Sequence, residues 1–107
     1  MNKKKLDELL GELQIELRQL FPERLQNIYL YGSQARGDAR PYSDIDVLVV
    51  LEGEFDYFQM IQETGEVTAR LSLKNDVVLA LAFVSTEDYA RRNTPFLQNV
   101  RREAIPV

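Results

Sequence analysis

Leucines recur at helical spacing through residues 3–20 of the chain. Positions three, four and seven apart lie on one face of a helix, and polar side chains fill the positions between them. The stripe comprises Leu6, Leu9, Leu10, Leu13, Leu17 and Leu20. The pattern predicts an amphipathic helix that ends at Phe21, because the residue before a proline disfavours the α conformation. The apolar face favours a helix that covers the core, and an oligomer interface is the alternative.

Three apolar runs predict β-strands at residues 26–31, 45–51 and 76–84. In the first run, Tyr29 and Tyr31 alternate with Ile28 and Leu30, which is typical of a half-buried strand. The second run is apolar on both faces and therefore predicts a central strand. The third is a continuous apolar run opened by Asp76.

The remaining segments predict helices. Ser33 opens a short helix, and Ser85 and Thr94 are suited to cap two further ones. Residues 55–72 predict a longer helix with Phe58, Ile61 and Gly65 on one face and Val67 and Leu71 near it, and Gly65 is a candidate for a break. The order of elements suits an α/β (α+β) fold with a small mixed β-sheet packed on one side by helices. We expect one domain over residues 1–107.

The second strand carries a physical anomaly at its start. Asp44 and Asp46 are two residues apart, so in a strand they project from the same face, roughly 7 Å from each other. At an effective dielectric constant of about 20 their repulsion is on the order of 2 kcal/mol. A divalent cation between them would turn this repulsion into attraction, and Mg²⁺ prefers oxygen ligands. The alternative is that both carboxylates only mark a solvated strand start.

Gly32 and Ser33 precede the two aspartates at a fixed distance, with ten residues between Ser33 and Asp44. The glycine permits a tight turn and a close approach of other groups to the backbone. Ser33, at the start of a helix, lies where free N–H groups can bind an anion. Its alternative role is a simple helix cap.

Composition narrows the chemistry. The chain has no histidine and no cysteine, which excludes histidine bases, thiolate metal sites and disulfides. No apolar run is long enough for a membrane span, and the basic N-terminus lacks the apolar region of a secretory signal. These features fit the cytoplasm. The net charge of −4 argues against general nucleic-acid binding, although Arg91, Arg92, Arg101 and Arg102 form a local basic cluster that could dock a partner.

The stretch GSQARGDARPYSDIDVLVV resembles the GSx10DxD signature of the DNA polymerase beta-like nucleotidyltransferase superfamily, and in particular its minimal nucleotidyltransferase (MNT) group. The resemblance implies a nucleotidyltransferase fold in which Gly32 and Ser33 hold the phosphates of ATP. It also implies two Mg²⁺ ions bound by Asp44, Asp46 and a third carboxylate from a later strand. Asp76 is the candidate for the third ligand, although Val78, Ala80 and Ala82 occupy the mid-strand places.

Arg36 matches the motif of the group and is a candidate contact for the triphosphate, with a surface ion pair to Asp38 as the alternative. The resemblance further implies transfer of AMP to a hydroxyl of a partner protein. MNT antitoxins accompany HEPN-domain toxins and silence them by adenylylation, so a HEPN toxin is the expected partner. The rival interpretation is a non-catalytic binding module that neutralises its partner by contact. Transfer to a small molecule is a third interpretation, and the absence of a second domain disfavours it.

Overall fold

The computed structural model describes all 107 residues of the chain. Its elements are α1 (Lys3–Leu20), β1 (Leu25–Tyr31), α2 (Ser33–Arg36), β2 (Ile45–Leu51), α3 (Tyr57–Asn75), β3 (Leu79–Ser85), α4 (Thr86–Arg91), α5 (Pro95–Glu103) and β4 (Ile105–Pro106). The predicted bounds of α1 and β2 are confirmed, and β1 starts one residue before its predicted position. The two-residue strand β4 is too short to leave a recognisable pattern in the sequence.

The four strands form one mixed sheet in the order β3-β2-β1-β4. Strand β1 pairs antiparallel with β2, while β3 runs parallel to β2 on its other side. The mixed α/β architecture is therefore confirmed. Because β2 has neighbours on both sides, the start of this strand lies in the middle of the sheet rather than at its edge.

Helices cover both faces of the sheet, so the expectation of packing on one side was wrong. On the first face, Val47 and Val49 of β2 pack in the main core with α1 and α3. On the second face, Leu48 and Val50 pack against Leu97 of α5. The alternate side chains of β2 are buried on both faces, as its apolar sequence predicts, and each face needs its own helical cover.

Helix α3 faces the core with Val67 and Leu71, as predicted, but not with Phe58 and Ile61. Phe58 and Ile61 are exposed, whereas Met60, Thr64, Val67 and Leu71 are buried. Thr64 is tolerated in the core because its hydroxyl donates a hydrogen bond to the Met60 carbonyl oxygen at 2.8 Å. The helix also continues through Gly65 without a break.

The predicted start of the third strand was wrong. Helix α3 runs on to Asn75, and Asp76 is its C-cap in the left-handed conformation, with φ 52°. Aspartate and asparagine enter this conformation more readily than most residues, which explains why the helix ends here. Strand β3 begins only at Leu79.

The predicted caps near the C-terminus are confirmed. The side chain of Ser85 accepts a hydrogen bond from the backbone N–H of Asp88, and Thr94 accepts one from Leu97 with Pro95 in the first turn. Leu97 and Val100 anchor α5 on the sheet, while Phe96 is partly exposed. None of the helices combines the length and the apolar character needed to cross a membrane.

Candidate active site

The antiparallel pairing of β1 and β2 joins the two halves of the sequence motif. Tyr31, the last residue of β1, lies opposite Asp46 near the start of β2. Gly32 follows Tyr31 directly, so the glycine turn and the aspartates meet at one end of the two central strands. The two halves of the motif therefore form one site in three dimensions, although Gly32 lies in the turn after β1 and Asp46 lies in β2.

Gly32 meets two separate physical demands. Its φ of 75° lies in a region that side chains other than glycine rarely adopt. In addition, a Cβ atom at this position would lie 2.5 Å from Oδ2 of Asp46, which is inside van der Waals contact. Because Gly32 has no side chain, the Asp46 carboxylate has room to lie against the backbone of the turn.

Ser33 is the first residue of the short helix α2, and Gly32 rather than Ser33 is the N-cap. The backbone N–H groups of Ala35 and Arg36 both bond to the Gly32 carbonyl oxygen, at 3.1 and 3.0 Å. No side chain caps the helix, so the earliest N–H groups of α2 have no partner of that kind. The Ser33 hydroxyl does not cap the helix.

The two aspartates differ in their surroundings. Asp44 is exposed in the segment before β2, and Asp46 is half-buried within the strand. Burial raises the pKa of Asp46, the negative charge of Asp44 raises it further, and the Arg36 guanidinium opposes both effects. The mutual repulsion predicted from the sequence is therefore present at Asp46. A cation beside the two carboxylates would relieve it.

Tyr31 completes this end of the sheet next to Asp46. Burial of the ring, together with the charge of Asp46, raises the pKa of the Tyr31 hydroxyl to about 12. The phenol is therefore protonated at neutral pH. It can donate a hydrogen bond but is unsuited to act as a base.

A cavity of about 360 Å³ opens over this site. The predicted residues Gly32, Ser33, Arg36 and Asp46 line it, together with Tyr31. The opposite wall belongs to α5, which contributes Phe96, Asn99, Val100 and Glu103. A larger cavity of about 620 Å³ lies between the start of α1 and β4, but none of the predicted site residues lines it. Asp46 lines the smaller cavity and Asp44 does not, so the chemistry points to the smaller one through Asp46.

Arg36 joins the two walls of this cavity. Its guanidinium donates to Oδ2 of Asp38 at 3.2 Å, as the surface alternative predicted, and also to Oε2 of Glu103 at 3.0 Å. The hydrogen bond that Arg36 donates to Asp38, followed by the one it donates to Glu103, raises the pKa of the Arg36 guanidinium, which stays positive. A permanent cation is thus held beside Ser33 and Asp46.

Asp76 does not join the other two aspartates. It is exposed at the end of α3, beside Pro41, Tyr42 and Val78. No three acidic side chains in the chain lie close enough together to hold a metal ion. A role for Asp76 as third ligand stays a prediction that its position does not support.

The basic cluster near the C-terminus is largely engaged within the chain. Arg101 donates to the backbone carbonyls of Tyr89 and Arg92, and its guanidinium also lies over the Tyr89 ring. Arg102 donates to Asn99, while Arg91 and Arg92 lie within salt-bridge distance of acidic residues one helical turn away. These contacts weaken the prediction of a free basic docking face.

The nucleotidyltransferase domain family matches residues 10–103, which is most of the chain. The chain belongs to this family. A protein of Methanocaldococcus jannaschii that bears the provisional name protein adenylyltransferase is 35% identical over 88 residues, which cover 81% of this chain and 82% of that protein.

Solved structures agree with this assignment. A minimal nucleotidyltransferase superposes with a TM-score of 0.59 and 26% identity, and the match covers 95% of each chain. The fold also recurs in an MNT antitoxin bound to a tri-AMPylated HEPN toxin of Shewanella oneidensis. That match has a TM-score of 0.60 and 23% identity and covers 94% of this chain and 69% of the other. The resemblance to minimal nucleotidyltransferases is thus confirmed for family and fold.

This nucleotidyltransferase has a site wall that sequence reasoning missed. Phe96, Asn99 and Glu103 lie outside the sequence motif and were not predicted as site residues. The signal was present, because positions 96, 99 and 103 fall on one face of a helix beside the buried pair Leu97 and Val100. Phe96 packs edge-on against Tyr31, with ring centroids 5.4 Å apart, and so closes the cavity next to the aspartates.

The donor set fits one magnesium ion. Mg²⁺ is commonly bound by one or two carboxylates together with the phosphates of a nucleotide. Asp44 and Asp46 would supply the carboxylates, and the raised pKa of Asp46 marks a position where negative charge lacks compensation. A second ion that needs a third carboxylate from this chain does not fit the same arrangement.

Proposed function

We propose that this protein transfers AMP from ATP to a hydroxyl of a partner protein, and that the partner is a HEPN-domain toxin which the transfer silences in the cytoplasm. The contact between the Gly32 backbone and the Asp46 carboxylate carries the proposal, because it unites a phosphate-binding turn with a carboxylate pair. The relative named for protein adenylyltransfer and the antitoxin bound to an AMPylated HEPN toxin support the acceptor class.

Different residues of the site bind the phosphates and the metal ion. Gly32 and Ser33 bind the β- and γ-phosphates with backbone N–H groups and the Ser33 hydroxyl, and the Arg36 guanidinium adds a fixed positive charge. Asp44 and Asp46 would hold Mg²⁺ with the triphosphate. When bound, this ion neutralises phosphate charge and favours departure of pyrophosphate.

The transfer itself is a substitution at the α-phosphorus. The acceptor oxygen forms a bond to this phosphorus, and the bond to the oxygen that bridges to the β-phosphate breaks. Pyrophosphate leaves, and the proton of the acceptor hydroxyl passes to solvent. The wall formed by α5 confines the nucleotide between Phe96 and the end of β1, so that orientation rather than a strong base supplies much of the rate.

A radiolabel assay tests this function. The protein is incubated with α-labelled ATP, Mg²⁺ and a candidate HEPN-domain partner, and label on the partner is measured. We expect transfer by the wild type and by Asp7→Asn, an exposed change on α1, and loss by Asp44→Asn. Transfer that persists in Asp44→Asn would contradict the assigned site.

A non-catalytic binding module is the second candidate. One observation favours it: no third carboxylate gathers with Asp44 and Asp46. In that case the wild type and Asp44→Asn would inhibit the partner equally, and no label would transfer with either. The same assay therefore separates contact from catalysis.

A further inference from the structure

We infer that the site of this nucleotidyltransferase binds a single divalent cation together with the nucleotide, and that Ala80 is the reason a second cation has no place. The inference rests on the proposed function and concerns how that function is carried out. Its basis is the register of the sheet around Asp46.

Strand β2 is flanked on both sides at the level of Asp46. On one side Asp46 lies opposite Tyr31 of β1, and on the other it lies opposite Ala80 of β3. In a parallel pair, residues in register project from the same face. The β3 position nearest to the Asp46 carboxylate therefore holds a methyl group, which cannot bind a metal.

Neighbouring positions on the same face of β3 do not compensate. Side chains two residues apart share a face, so Val78 and Ala82 are the next candidates before and after Ala80. Both are apolar. Val84 follows on the same face and is apolar too, whereas Ser85, the last residue of the strand, projects from the other face and caps α4. This face of β3 therefore offers no oxygen to a cation at Asp44 and Asp46.

The other acidic residues near the site are not free to bind a cation there. Asp76 precedes Ala80 by four residues, ends α3 in the left-handed conformation and lies against Tyr42 and Val78. Glu103 lines the cavity, but its Oε2 accepts a hydrogen bond from Arg36 at 3.0 Å. Only Asp44 and Asp46 remain as free carboxylates at the site.

A consequence follows for the acceptor. A second cation would lower the pKa of the attacking hydroxyl, and this chain does not hold one. The partner must therefore present its hydroxyl already oriented and lose the proton to solvent or to a base of its own. This accounts for a small protein that acts only on a partner it docks against.

The test counts metal ions on the protein. Wild type is saturated with a non-hydrolysable ATP analogue and Mn²⁺, and bound Mn²⁺ per chain is measured by native mass spectrometry and by electron paramagnetic resonance. We expect one ion in the wild type and in Asp76→Asn, which retains a residue suited to the left-handed conformation. Two ions in the wild type, or loss of an ion in Asp76→Asn, would overturn the inference.

The change Ala80→Asp tests the assigned cause, with Ala80→Asn as the matched control. We expect Ala80→Asp to bind two ions and to gain thermal stability on Mn²⁺ addition, while Ala80→Asn binds one and gains less. A single ion in a folded Ala80→Asp would overturn the role given to Ala80. No ion at all in the wild type would overturn the proposed function as well, whereas two ions would leave it intact.

Discussion

Arg36 and Glu103 are joined by a hydrogen-bonded ion pair 3.0 Å long, although 67 residues separate them. The pair links the end of α2, next to the turn at Gly32, to the end of α5. It fixes the guanidinium above the cavity that contains Asp46. An arginine so fixed can meet a phosphate without first losing side-chain freedom.

The first prediction concerns this pair. We expect Glu103→Gln to raise the KM for ATP several-fold with a smaller change in kcat, because Arg36 loses its charged partner on α5. Glu16→Gln is the control, since it removes a similar exposed pair with Arg70, 2.7 Å long, on the other face of the sheet. Steady-state kinetics with both variants measure the effect. If Glu103→Gln and Glu16→Gln had the same KM for ATP, the positioning role of Glu103 would be excluded.

The second prediction concerns the contact between Gly32 and Asp46. Gly32→Ala should destabilise the fold by about 1–3 kcal/mol through its positive φ. It should also lower transfer on the order of 100-fold, because the new Cβ displaces the Asp46 carboxylate. Denaturant unfolding measures the loss of stability, and the label-transfer assay measures the loss of transfer.

Gly53→Ala is the matched control for backbone strain. Its φ of 83° is also positive, but a Cβ there meets no atom within 4 Å. We expect a similar loss of stability with nearly full transfer. Equal losses of transfer in the two variants would show that strain, rather than the carboxylate, accounts for the effect at Gly32.

The third prediction concerns the cost of the Asp46 charge. Because burial and Asp44 raise the pKa of Asp46 in the folded protein, its contribution to stability is fully present below the ordinary value of 3.8 and is lost as pH rises through the raised value. Asp46→Asn should therefore become more stable than the wild type as pH increases above 3.8. It should lose transfer at the same time.

Chemical unfolding from pH 3 to pH 7 with a chelator present measures this difference. The chelator removes bound cations, which would otherwise stabilise the wild type and hide the repulsion. A stability difference that is the same at every pH would contradict the electrostatic explanation. Asp7→Asn, on the exposed surface of α1, should show no such pH dependence.

The fourth prediction concerns the anchor of α5. Leu97 is 4% exposed and packs with Leu48 and Val50. Leu97→Ala should lower the free energy of unfolding by about 2–5 kcal/mol and should weaken ATP binding, since α5 forms one wall of the cavity. Calorimetry checks both quantities. Gln98→Ala, the adjacent exposed position, should change neither.

Local patterns predicted much of the fold. The leucine stripe of α1, the two-faced apolar run of β2 and the caps Ser85 and Thr94 each depend on neighbours in sequence, and each is found as predicted. The motif from Gly32 to Asp46 likewise spans one turn between paired strands. Such features follow from propensity and spacing alone.

The errors concern features set by distant contacts. The buried face of α3 depends on which side meets α1, and Thr64 enters it only because its hydroxyl finds a backbone acceptor. The wall of the cavity depends on where α5 crosses the second face of the sheet, and the helical spacing of its residues does not by itself give that position. Asp76 appeared to open a strand because an apolar run follows it, whereas the end of α3 determines its conformation.

Helix α5 carries residues that anchor it and residues that line the cavity, and this separation has a practical consequence for engineering. Leu97 and Val100 hold the helix on the sheet, and Phe96, Asn99 and Glu103 face the opening. A library confined to these last three positions would vary the lining of the cavity while the anchoring residues stay unchanged. The shape of the cavity and the stability of the scaffold can thus be changed separately on a helix of nine residues.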